Sequence, residues 1–153
     1  RELRAKLGLR TQEEDDALLF GDLLESMDLD DCDYTRTWRT LATVTQTEDT
    51  GFSGWFTDRE RIAAWVERYR ARLAREGSAD AERRARMNQA NPKYVLRNYL
   101  AQIAIQNAER KDFSEVRRLL AVLRRPFDEH PEHDAYAEPP PDWGRHLVVS
   151  CSS

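Results

Sequence analysis

The sequence predicts an all-α fold, a bundle of about five to six helices that ends in an extended, proline-rich tail. Three observations carry this reading. Ile62, Trp65, Val66, Tyr69 and Leu73 fall at i, i+3, i+4, i+7 and i+11, which places them on one helical face. Stripes of this kind are preceded by capping residues and followed by glycine or proline. Five of the six prolines lie in the last 28 residues, three of them as Pro139-Pro140-Pro141, a composition that favours extended or polyproline geometry over helix. The chain therefore divides into a helical region over 1–125 and a tail over 126–153.

The elements follow in order. Residues 1–8 read as the end of a helix closed by Gly8. Thr11 and Glu14 have capping-box spacing and predict a helix whose stripe is Ala17, Phe20, Leu24 and Met27, widened by Leu19 and Leu23. After the acidic stretch Asp28-Leu29-Asp30-Asp31-Cys32-Asp33, Tyr34, Trp38 and Leu41 keep helical spacing. The segment from Thr43 to Gly54 has no period and reads as an irregular connection. Thr57 and Glu60 repeat the capping-box pattern ahead of the 62–73 stripe, which Gly77 ends. Ser78 is expected to cap a short polar helix running to Asn91-Pro92. That dipeptide predicts the start of another helix, with Val95, Leu96, Tyr99, Leu100 and Ile103 buried. A last helix spans Ser114 to Arg125 with Val116, Leu119, Leu120 and Leu123, and Pro126 stops it. Phe127, Tyr136, Trp143 and Leu147 to Val149 give the tail apolar anchors, so it should lie along a surface.

Composition excludes some function classes. With 24 basic and 28 acidic residues the net charge is −4, which gives no general attraction to nucleic acid. Arginine outnumbers lysine by 21 to 3, and the arginines are interspersed with acids, so they read as solvated helix surface. No run of eighteen apolar residues exists to span a membrane. The first residues lack methionine and are too polar for a signal-peptide core, so the start reads as a cut. Cys32 and Cys151 form no disulfide framework and suit a reducing compartment, the missing export signal points to the cytoplasm, and the arginine bias points to a bacterial genome rich in G and C.

Several constellations invite chemistry. His130-Pro131-Glu132-His133-Asp134 places two histidines beside acids, but no third ligand has diagnostic spacing, so a solvated loop is expected. Asp28, Asp30, Asp31 and Asp33 resemble a calcium loop without its central glycine, and Arg39 stands where the closing glutamate belongs, so a solvated interhelical linker that excludes neighbours by charge is expected. Gly51-Phe52-Ser53-Gly54-Trp55 reads as a turn with aromatic anchors. Arg97 and Asn98, in an otherwise apolar stretch, are expected to reach loop carbonyls or an acidic neighbour. Tyr34, Trp38, Trp65 and Tyr69 are expected in the core. No residue is assigned as catalytic, cofactor-binding or metal-binding. Cys151, three residues from the end and flanked by Ser150, Ser152 and Ser153, is the candidate redox or regulatory residue. Cys32 reads as an ordinary, partly buried thiol.

Several strings, taken in order, resemble one family. They are Leu3-Arg4-Ala5-Lys6-Leu7-Gly8-Leu9, Asp33-Tyr34-Thr35-Arg36-Thr37-Trp38-Arg39, the run from Asn91 to Gln102, Arg124-Arg125-Pro126-Phe127, Pro140-Pro141-Asp142-Trp143-Gly144 and Ser150-Cys151-Ser152-Ser153. Together they resemble the carboxy-terminal third of the SelO (YdiU) family of kinase-like proteins. The resemblance implies a parent enzyme, described as a pseudokinase because ATP sits reversed in its site. That enzyme uses ATP and Mg or Mn to move AMP onto protein hydroxyls. Its nucleotide and metal residues belong to upstream segments, so none is carried over and this segment alone is expected to be inactive. Cys151 matches the position at which some relatives carry selenocysteine, which implies a redox role, with a reversible disulfide to an upstream cysteine as one version. The implied partners are the upstream kinase-like core and the protein substrates of the parent, and apolar faces left exposed invite a homodimer. The alternative is a non-enzymatic helical interaction module using its aromatic stripe and proline-rich tail. A stand-alone thiol enzyme built on Cys151 has no supporting histidine or second cysteine.

Overall fold

The computed structural model describes residues 1–147, and these are all helical or irregular, with no strand among them. The described residues form seven α-helices: α1 (Glu2–Leu7), α2 (Asp16–Leu29), α3 (Tyr34–Leu41), α4 (Arg59–Glu76), α5 (Asp80–Ala90), α6 (Asn98–Glu109) and α7 (Ser114–Leu123). The contacts divide the chain into two compact units, Arg1–Asn91 and Pro92–Ser153.

The first unit is built around α4, whose predicted stripe is buried at every position, from Ile62 to Leu73. Trp65 stacks on Tyr69 with ring centroids 5.1 Å apart and meets Phe52 at 5.7 Å. Their polar atoms are satisfied inside the core. Trp65 Nε1 donates to the Leu19 carbonyl at 2.8 Å, and the Tyr69 hydroxyl donates to the Leu7 carbonyl at 2.7 Å. Trp38 on α3 is buried against Phe20 of α2, with centroids 5.2 Å apart. Gly8 and Gly77 close α1 and α4 in the left-handed conformation, as their sequence positions predict.

Helix starts differ from the sequence reading in instructive ways. Thr11 does not cap α2, which begins at Asp16. Its hydroxyl instead donates to Glu76 and accepts from Arg72, so a long-range network takes the residue that local spacing reserves for a cap. The start of α4 is capped by Asp58, not Thr57, with the Asp58 carboxylate accepting from Arg61 N. Asp30 reinforces that end by accepting from Thr57 N and Asp58 N, both at 3.1 Å. α5 opens after Ala79, one residue past Ser78.

Asn91-Pro92 starts no helix. The side-chain amide of Asn91 donates to the Lys6 carbonyl and its oxygen accepts from Lys6 Nζ, which holds Asn91 extended at the end of α5. α6 begins only at Asn98, so Leu96 is exposed and the buried face is Tyr99, Leu100 and Ala104.

In the second unit, α6 and α7 pack together over Tyr99, Leu100, Ala104 and Leu119. On α7, Leu119 and Val122 are buried while Val116 and Leu120 are exposed, a narrower buried face than the apolar count predicts. The tail is not simply extended. It forms 3-10 turns at Pro131–Ala137, kinked at His133, and at Asp142–Gly144. Proline tolerates such starts because the first N–H of a turn has no partner to lose. The tail lies on its unit as expected: Tyr136 and Leu147 pack beside the α6–α7 core, and Trp143 meets Tyr99 edge-on at 5.8 Å. At Gly144 an added Cβ would come within 2.7 Å of Tyr99 Cβ, so only glycine allows this approach.

Candidate functional site

The most developed polar constellation centres on Arg72 of α4, whose side chain is only 2% exposed. Its Nε donates to Asp16 Oδ1 at 2.7 Å and its Nη2 to Asp16 Oδ2 at 3.3 Å, a two-pronged pairing with a carboxylate that is itself buried. Nη2 also donates to the Thr11 carbonyl at 3.0 Å, while Nη1 faces Glu13 at 3.3 Å and Glu76 at 3.9 Å. Glu76 Oε1 accepts from Arg10 N and Thr11 N, and Arg75 clamps Glu13 at 2.7 Å. Burial works against ionisation of Asp16. The bonds from Arg72 and Glu13 N outweigh it and leave the carboxyl below its ordinary range. Glu76 is depressed in the same way, with burial opposed by the Thr11 and Arg10 N–H groups. The groove of about 420 Å³ between α2 and α4 is lined by Asp16, Arg72 and Arg75 and by Arg68 and Asp22, which pair at 2.6 Å. Chemically the arrangement is a closed set of ion pairs that fastens residues 10–16 onto α4.

A second buried arginine, Arg83 of α5, donates to the Val44 carbonyl and to Asp80 and touches the Tyr69 hydroxyl at 3.3 Å. The sequence reads arginine as surface, and Arg72 and Arg83 correct that reading. Each lies beside buried core residues of its own helix, Arg72 next to Leu73 and Arg83 four residues before Met87, and a periodicity count that treats arginine as polar misses both.

The residues singled out by spacing have definite places. Cys151 lies outside the described residues. Cys32 is half-buried, and its thiol donates to the Trp55 carbonyl at 3.1 Å. Burial and the neighbouring Asp30 and Asp31 charges push it up to about 11, which keeps it a thiol at neutral pH. His130 is 2.9 Å from the Arg125 carbonyl through Nε2, and His133 stacks on Tyr136, so the two histidines do not converge. Asp134 accepts from Lys93 Nζ at 2.9 Å. Asp30 and Asp33 serve two different helix starts and do not share one cation. Arg97 reaches the Ala137 carbonyl at 3.5 Å, and Asn98 donates to the Leu147 carbonyl at 2.9 Å, so both hold loop carbonyls as expected. Trp38, Trp65 and Tyr69 are core residues, whereas Tyr34 is half exposed at an edge of the Trp38 ring. Among the described residues no three His, Cys, Asp or Glu side chains gather as metal ligands.

Fold and network together define an all-α chain of two compact units, the first of them knitted by a buried arginine–carboxylate pair. A family profile described as Protein adenylyltransferase SelO matches residues 1–124. The whole chain is 56% identical to the Protein nucleotidyltransferase YdiU of Burkholderia thailandensis and to that of Burkholderia pseudomallei, and 54% identical to that of Burkholderia cenocepacia. In each case all of this chain is covered, and it spans about 30% of the length of the curated relative. The chain belongs to the SelO family.

Proposed function

We propose that this chain is the carboxy-terminal, helical and regulatory part of a bacterial, cytoplasmic protein adenylyltransferase, and that it catalyses nothing alone. The match to a family described as adenylyltransferase, over a chain that spans under a third of its relatives, carries this reading. In the parent reaction a Ser, Thr or Tyr hydroxyl oxygen bonds the α-phosphorus of ATP, the hydroxyl proton is lost and pyrophosphate leaves. ATP and a divalent metal support that chemistry, and the described carboxylates do not fit the metal. The carboxylates of Glu13, Asp16, Asp30 and Glu76 are spent on arginines and backbone N–H groups. We assign those groups to the upstream kinase-like part of the parent.

Within this reading the described unit from Pro92 holds the chain up to Leu147, six residues before the end, through the Asn98 bond. Cys151 then acts as a redox handle. Its thiol and a second, upstream thiol lose two electrons and two protons to a peroxide or a disulfide oxidant and form a bond between the sulfurs. Exposed Phe113, Val116 and Leu120 are apolar faces through which the isolated chain pairs with itself. The test is the mass of a protein substrate incubated with ATP, Mg or Mn and the full-length parent. Gain of an adenylyl group supports the reading, and gain of a phosphoryl group alone contradicts it. A Cys151→Ser parent whose activity responds to oxidant as the unaltered protein does would remove the redox role.

A further inference from the structure

We propose that the cleft between α1 and α5 is an oxyanion site that takes a phosphoryl group carrying more than one negative charge. The cleft has a volume of about 310 Å³ and is lined by Arg1, Arg4, Arg10 and Arg86, with Ala5, Gly8 and Leu9 between them. No acidic side chain lines it. At its edge Arg10 meets Glu82 at 3.0 Å as an exposed pair, and its backbone N–H donates to Glu76 at 2.7 Å. This is the reverse of the α2–α4 groove, where each arginine of the lining closes on a carboxylate.

Two further observations show donor capacity that the protein itself does not use. Arg86 Nη2 donates to the Gly8 carbonyl at 3.1 Å, which fixes the side chain against α1, while its Nη1 is shielded from solvent without a hydrogen-bond partner. A buried donor in that state costs about 1–3 kcal/mol. An anion oxygen that reaches Nη1 from the cleft, with the Nη2 bond kept, removes the cost. The carbonyls at the end of α1, which would otherwise compete, are already taken. Gly8 N–H donates to Ala5 O, Leu9 N–H donates to Arg4 O at 2.8 Å, and Gly8 O receives Arg86.

The ligand class follows from charge and shape. Planar guanidinium forks match phosphate oxygens in pairs, and Arg1, Arg4 and Arg86, which close on no carboxylate, favour a group with about two negative charges over a single carboxylate. The lining offers no aromatic ring for a base, so the site reads charge and is suited to phosphate esters or diphosphate. It is independent of the adenylyl-transfer reading.

Inorganic pyrophosphate titrated into the whole chain tests it, with heat and backbone amide shifts as readouts and citrate as a carboxylate control. The expected result is saturable binding that moves the Gly8 and Leu9 amides, weakens with salt, and falls about tenfold or more in Arg86→Gln. Arg4→Gln, which removes no hydrogen bond within the fold that holds α1 to α5, should weaken binding similarly and keeps the test decisive if Arg86→Gln misfolds. No saturable binding, equal binding in the Arg4→Gln variant, or citrate binding as tightly as pyrophosphate would each overturn the proposal.

Discussion

Arg72 and Cys32 show how much a single side chain decides here. Removing one partner of a buried pair leaves an uncompensated charge, so Asp16→Ala is expected to cost about 3–5 kcal/mol in urea unfolding. A loss under about 1 kcal/mol would show that the pair is not buried as described. The same carboxyl gives a pH dependence. Because the folded-state pKa of Asp16 lies below its ordinary 3.8, and that of Glu76 below 4.5, their stabilisation is complete above those values. It is lost as pH falls through the depressed values, so unfolding free energy should drop in that acid range, and less steeply in Asp16→Asn. For Cys32, a thiol held near 11 should alkylate at pH 8 roughly ten to a hundred times more slowly than a free cysteine. Modification at the free rate would contradict its bond to Trp55.

The elements divide cleanly into those that local sequence specifies and those that distant contacts specify. The face of α4 was legible because its apolar residues repeat at helical spacing and both ends carry punctuation, and the structure buries that whole stripe. α3, with Trp38 and Leu41, was legible for the same reason. Two of the missed starts share one cause: residues with cap chemistry, Thr11 and Asn91, are used by partners 65 and 85 positions away, which no local window contains. Asp58 shows how narrow such a miss can be, since it stands next to the Thr57 that the pattern chose. Asp58→Ala should therefore cost about 1 kcal/mol while Thr57→Ala costs less, as read by thermal unfolding. At the end of α1, Gly8 has φ 75°, and an added Cβ would meet Met87 Sδ at 2.7 Å and Arg83 Cγ at 2.8 Å. Gly8→Ala should destabilise by roughly 2 kcal/mol or more, through both the backbone and the α1–α5 contact. An unchanged midpoint would place α1 elsewhere.

For the whole molecule, fold class was legible because helical periodicity and capping agree along most of the chain, and all regular structure among the described residues is helical. The tail was harder to read, because proline excludes long helix yet accepts the short 3-10 turns found at Pro131–Ala137 and Asp142–Gly144. The candidate site was only partly legible. The histidines and the Asp28–Asp33 acids, read from spacing as loop and linker, include Asp30 and Asp33 at helix starts, while the buried Arg72 network carried no local signature. Family membership came from ordered strings along the chain, and the match over residues 1–124 agrees with it. Among the described residues no helix is long and apolar enough to cross a membrane.

The central claim is that adenylyl transfer belongs to the parent and not to this chain. The most direct measurement incubates this chain, and a version extended upstream to the full length of its relatives, with ATP labelled in the α-phosphate and Mg or Mn. The account predicts protein-bound label with the extended version and none with this chain alone. Label on protein with the short chain alone would place a nucleotide site within these 153 residues and contradict it.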